Sequence, residues 1–183
     1  MSDPPLPLSP FAGTIDFSDE IPVHAIDPEE LARTLKAHEA YVESSQRSGQ
    51  RANLDATDLT GKSFAGMKLW HIRMQRADLT GADFTGADLR RAILIGATMK
   101  GGSIAAADLS LGRLNGIILT DANCVGACLA KVDIEFAILA NSNFRDANFQ
   151  DADMSGVILD GADLRGANLQ RANLRGASFQ NAL

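Results

Sequence analysis

From Ala52 to Asn181 the chain repeats itself every five residues without one insertion. The blocks run ANLDA, TDLTG, KSFAG, MKLWH, IRMQR, ADLTG and on to ANLQR, ANLRG and ASFQN, 26 in all. The third residue of every block is apolar, from Leu54, Leu59, Phe64 and Leu69 to Leu169, Leu174 and Phe179. The first is Ala in 16 blocks, the second is Asp or Asn in 14, and Gly is common at the fifth. A period of five fits neither an amphipathic helix, near 3.6, nor a flat strand, at 2. It demands a turn in every block. The first and third residues point inward together, because one is small and the other apolar. The second, fourth and fifth carry almost every charge and face water. Aromatic residues make up only 5 % of the chain, so the core is built from repeated small contacts.

The A-(D/N)-L-x-x pattern resembles the pentapeptide-repeat family, over about 70 % of the chain by that block count. The resemblance implies an all-β solenoid, a right-handed quadrilateral parallel β-helix in which four blocks form one square coil. Twenty-six blocks then make about 6.5 coils, a stack roughly 31 Å long at ~4.8 Å per coil. Stability is expected to be a sum of neighbour-to-neighbour stacking contributions. Three parts follow: a flexible or irregular segment over 1–26, a capping helix and linker over 27–51, and the β-helix over 52–183.

The first coil departs from the pattern. Lys62, Met67 and Ile72 replace the small inward residue. A lysine does not stay buried without a partner, so this coil is expected to be distorted or covered. The cover is predicted just upstream. The first ten residues hold four prolines and read as disordered, and Phe11 to Ile26 gives no firm pattern. Asp27-Pro28-Glu29-Glu30 is a helix start, with Asp27 as N-cap, Pro28 at the first helical position and Glu30 closing a capping-box-like pair. Leu31, Leu35, His38 and Val42 then share one face, with Tyr41 alongside, and the helix stops between Ser44 and Gly49. This helix is expected to cap the open N-terminal end of the solenoid. The segment also resembles a helical lead-in of some bacterial pentapeptide-repeat proteins.

Little in the chain suggests catalysis. Asp78, Asp83 and Asp88 recur every five residues, but successive blocks lie on successive faces and these carboxylates diverge. At the second position they are read as acceptors for nearby turn N–H groups. Cys124 is a central, inward residue and Cys128 an outward one. They diverge as well, while zinc needs four converging ligands. His24, His38 and His71 are distant in sequence. No phosphate-binding loop, nucleophile elbow or helical His pair is present, and a regular solenoid lacks a deep pocket. The sequence therefore predicts no enzyme, no cofactor and no metal.

The formal charge of −6 disfavours nucleic acid and anionic membranes as partners. Nothing approaches a ~20-residue apolar span, and the N-terminus lacks a secretory pattern, so the expected compartment is the cytoplasm. Two cysteines do not make a disulfide framework. Some members of the resembled family mimic duplex DNA, bind or inhibit type II topoisomerases such as gyrase, and so confer quinolone protection. A mimic needs acid along the rod. Here residues 1–51 carry −5 and the repeat only about −1. The face beginning at Thr57 carries −3 and that beginning at Met67 carries +2. The DNA-mimic role therefore ranks second.

The first reading is a protein-interaction or scaffold protein without catalysis of its own. Its candidate contact surface is a ladder of Ile118, Ile138 and Ile158. These occupy the outward second position 20 residues apart, so they stack in three adjacent coils. Exposed β-branched residues in register form an unusual patch for a soluble monomer. A homodimer could form through this ladder or through an open C-terminal coil edge.

Overall fold

The computed structural model describes residues 23–183. The proline-rich start, and most of the stretch expected to be irregular, lie outside the described residues.

Each block from Ala52 onward makes a short extended rung and then a turn. The turn is closed by a bond such as that from the Met67 N–H to the Phe64 carbonyl, 3.1 Å, with the fourth and fifth residues at its corner. All 26 fifth residues have positive φ, 12 of them glycines. A turn with a left-handed residue in its third place favours Gly or Asn there. This is the physical origin of the frequent Gly in the sequence.

The rungs pair in parallel with a constant offset of 20 residues: Asn53 with Arg73, Asp58 with Asp78, Ser63 with Asp83, Lys68 with Asp88, and so on to Ile158 with Ser178. An offset of 20 is four blocks, so the coil has four sides. The fold is a right-handed quadrilateral β-helix. We call its faces A to D, from the blocks that open at Ala52, Thr57, Lys62 and Met67. Backbone groups are satisfied between coils. The Leu119 N–H donates to the Ile138 carbonyl at 2.8 Å, and the Ile138 N–H donates to the Ile117 carbonyl at 2.9 Å.

The core is the axis of the coil. Central residues from Leu54 to Leu159 are buried, joined by small first residues such as Ala82, Ala107 and Ala152. Phe64 and Phe84 stack in successive coils on face C, with ring centroids 4.6 Å apart. In the last coil Leu164, Leu169 and Leu174 are half-buried against the core, while Phe179 and Leu183 are exposed.

The N-terminal end is covered. β1 (His24–Ala25) pairs in parallel with β2 (Thr57–Asp58) and adds one rung to face B beyond the first coil. α1 (Pro28–Glu43) follows. Asp27 caps it, its carboxylate accepting from the N–H groups of Glu29 at 2.8 Å and Glu30 at 3.2 Å. Leu31 and His38 are buried, while Leu35 and Ile26 pack half-buried against the core. Val42 and Tyr41 are half-buried on the same side. The helix ends at Ser44. Gly49 then turns at φ +76°, where a Cβ would lie 2.3 Å from the Ala37 carbonyl oxygen, so the chain passes hard against the helix.

The first coil is covered by α1 but is not distorted. All four of its rungs are in register with the second coil. Ile72 is buried and Met67 half-buried, while Lys62 is exposed. The expected conflict at Lys62 does not arise, because the residue is exposed and, among the described residues, no rung pairs beneath its block on face C.

Candidate interaction surface

Face B carries the isoleucine ladder. Ile118 pairs with Ile138, and Ile138 with Ile158, as consecutive parallel rungs. Leu119, Leu139 and Leu159 are fully buried beside them. Ile118 and Ile138 are half-buried and Ile158 is 39 % exposed. The inward residue of each rung thus fills the core while the outward residue leaves an apolar stripe on the surface.

Sequence reasoning missed the largest part of this patch. Phe136 is 68 % exposed. It is the fifth residue of its block, at the corner where face A turns into face B, two residues before Ile138. Its φ is +57°, a conformation costing a side-chain-bearing residue about 1–2 kcal/mol. The available signal was a bulky aromatic at a position that is otherwise most often Gly. The ring extends over Gly156 of the next coil: a Cβ there would lie 2.6 Å from Phe136 Cδ1.

The outward aspartates have a local role. Asp78 accepts from the Thr80 N–H at 2.9 Å, Asp83 from the Thr85 N–H at 2.9 Å, and Asp88 from the Arg90 N–H at 3.3 Å. Asn148 and Asn168 do the same for Gln150 and Gln170. The carboxylate or amide thereby satisfies the first N–H of the turn, which explains Asp and Asn at this position.

A backbone period of five, a 20-residue coil and an Asx-supported turn in half of the blocks are joined by a direct sequence match. The family profile described as Pentapeptide repeats matches in 8 copies, over residues 72–110, 127–166 and 158–182. The chain belongs to the pentapeptide-repeat family.

No curated protein matches the chain. Solved structures of pentapeptide-repeat proteins do. Rfr23 from the cyanobacterium Cyanothece 51142 is 23 % identical, with 72 % of this chain and 86 % of that one covered and a TM-score of 0.47. HetL, involved in heterocyst differentiation regulation in the cyanobacterium Nostoc sp. strain PCC 7120, is 23 % identical over 86 % of this chain and 94 % of that one, with a TM-score of 0.24. QnrB1, a plasmid-mediated fluoroquinolone resistance protein, is 18 % identical over 68 % and 82 %, with a TM-score of 0.32.

In this pentapeptide-repeat protein the two cysteines are unpaired. Cys124 is buried at a block centre, where burial pushes its thiol well above the ordinary range. Cys128 is half-buried on the outside of face D. Among the described residues, no three His, Cys, Asp or Glu side chains converge as a metal site requires. A groove of about 270 Å³ runs between α1 and the first coil, lined by Leu35, Glu39, Met67 and Lys68. Its size falls below the usual range of small-molecule sites. No helix of the described residues is long and apolar enough to cross a membrane.

Five acids of the rod, Asp55, Asp88, Asp108, Asp151 and Asp163, form ion pairs with arginines. Arg90 is 2.7 Å from Asp88, Arg165 is 2.6 Å from Asp163, and Arg73 bridges Asp55. On the face with net positive charge, Arg171 joins Asp151 and Lys68 reaches Glu43 of α1 at 3.2 Å.

Proposed function

We propose that this chain is a non-catalytic interaction scaffold whose contact surface is the stripe of Ile118, Ile138 and Ile158 with Phe136 on the adjoining corner. The observation that carries this reading is Phe136. The fold does not need an aromatic there, since other blocks place Gly at the same corner. A ring held at positive φ costs stability and, left exposed, gains no burial in return, and a partner that buries it supplies the compensation. Aromatic anchors flanked by aliphatic neighbours are the usual centre of protein contacts.

A second copy of the chain is the partner we favour. The ladder is evenly spaced about Ile138. An antiparallel two-fold contact would set Ile118 of one copy against Ile158 of the other, the self-complementary arrangement of a two-fold interface. The DNA-mimic alternative is opposed by the charge: the acids of the repeat are matched almost one for one by its lysines and arginines, so the repeat carries only about −1.

Light scattering across a concentration series tests the reading. The expected result is a dimer that Ile138→Asp and Phe136→Gly each convert to a monomer. A dimer that survives both changes points instead to a contact through the C-terminal coil. A chain that stays monomeric, and captures the same proteins as the Ile138→Asp variant, overturns the proposed surface.

A further inference from the structure

The joint between α1 and the first coil is built around one histidine. His38 is 0 % exposed. Its Nδ1 accepts the Ala52 N–H at 3.1 Å, so in the neutral ring the proton sits on Nε2. Nε2 is itself buried and, among the described residues, makes no hydrogen bond of ordinary geometry, the Leu69 carbonyl being the acceptor that its N–H senses. The ring stacks on Tyr41 of α1 with centroids 5.9 Å apart. Tyr41 lies 6.5 Å from Trp70, and Trp70 4.6 Å from His71. Helix, linker and first coil therefore meet at a single side chain whose backbone bond requires it to be neutral.

We propose that His38 is an acid-sensitive latch, which releases α1 from the end of the β-helix when its ring takes up a second proton.

The chemistry is one of donors and acceptors. A doubly protonated ring has two N–H donors and no acceptor. Its Nδ1–H would face the Ala52 N–H, and one backbone donor would lose its partner inside the joint. The charge would also be poorly compensated. Arg51 in the linker and His71 in the first coil both oppose it, and Arg91 lies beside His71. On α1 the nearby acids are Glu39 and Glu43, and Glu43 is already paired with Lys68. On β1, His24 hydrogen-bonds Thr57 at 3.2 Å. Among the described residues, the Leu69 carbonyl is the one group that favours a proton on His38.

The sign follows from linkage. Burial first, and then Arg51 and His71, hold His38 below its ordinary value of 6.5 while the cap is closed. A group depressed in the closed state stabilises it fully above its ordinary value and ceases to as pH falls through the closed-state value. Within that window the opening constant rises about tenfold per pH unit, because the open form binds one more proton.

Hydrogen exchange of the full chain between about pH 7.5 and 5 reads the opening, after correction for intrinsic rates. Protection at Ala52 and across α1 should fall about tenfold per pH unit once below ~6.5, while core amides such as Leu119 keep theirs. Trp70 is the only tryptophan, and its fluorescence should follow the same curve in a His71→Asn background, where quenching by the neighbouring ring is absent. His38→Gln can accept the Ala52 N–H but does not titrate, and should abolish the response. Should Gln leave α1 unprotected at neutral pH, His38→Phe, which keeps the stack on Tyr41, takes its place. Unchanged protection of α1 down to pH 5 in the wild type, or an equal loss in the non-titrating variant, overturns the latch.

Discussion

The ring of Phe136 occupies the space that a side chain at residue 156 would fill, with Cδ1 2.6 Å and Cε1 2.8 Å from where a Cβ on Gly156 would stand. Gly156 has φ +68°. Gly156→Ala therefore combines backbone strain of about 1–2 kcal/mol with displacement of the ring. In a Phe136→Ala background only the backbone part remains. A double-mutant cycle on chemical denaturation should give a coupling of at least about 0.5 kcal/mol. Additive effects would show that the two residues do not constrain each other.

Phe136 itself separates stability from association. Phe136→Gly removes the left-handed strain, and loses only an exposed ring and its contact with Gly156. Its unfolding free energy should equal that of the parent or exceed it by up to about 1 kcal/mol. The same variant should fail to associate. A large loss of stability would mean that the ring serves the fold and not a partner.

How far the sequence determined these features depends on the length scale of each. The five-residue period specifies inward and outward residues directly, and the 20-residue spacing of Ile118, Ile138 and Ile158 places the ladder once the coil has four sides. Helix α1 and its Asp27 cap were legible because a proline, two acids and a helical stripe coincide within one segment. β1 was not, because two residues carry no period and their pairing with Thr57–Asp58 is a tertiary fact. Lys62 misled because the pattern assigns it an inward position, whereas at the edge of the stack that position is open to water. Phe136 was visible as an exception, but its exposure depends on Gly156, 20 residues away.

The cysteines give a simple check on the block frame. Cys124 is buried, with its thiol pushed up by desolvation, and Cys128 lies on the outer side. Native protein should release one equivalent with a thiol reagent and two in denaturant. Cys128→Ser should leave the native protein unreactive. Fast reaction of both thiols would contradict the inward placement of block centres.

Core truncation should be costly at the stacked aromatics. Phe64 and Phe84 are each at most 1 % exposed and lie nearly parallel, at 11°. Phe84→Ala should cost about 3–5 kcal/mol. Phe84→Leu supplies the residue found at most block centres and should cost clearly less. Equal losses for the two would mean that the coil cannot relax around a smaller centre.

Acid should act on the coils in a second window, below that of the cap. Asp163 is held down to about 2, first by its side-chain bonds to Arg165 and further by the Arg165 N–H. Asp151 is lowered chiefly by Arg171, Asp88 by Arg90, Asp83 by the Thr85 side chain and Asp58 by the Thr60 N–H. Each is depressed in the folded chain, so each stabilises it above the ordinary value of 3.8 and ceases to as pH falls through the folded value. These groups lie at the surface, where screening keeps each contribution small, and the effect accumulates over many turns. The melting temperature of the coils should hold from neutral pH to about 4 and fall between about 4 and 2. Asp163→Asn keeps an acceptor for the Arg165 N–H but cannot titrate, and should flatten part of that fall. A melting temperature independent of pH below 4 would show that the aspartate bonds are no stronger folded than unfolded. A coil transition already complete near pH 6 would mean that release of α1 unwinds the rod, and the cap would then belong to the cooperative core.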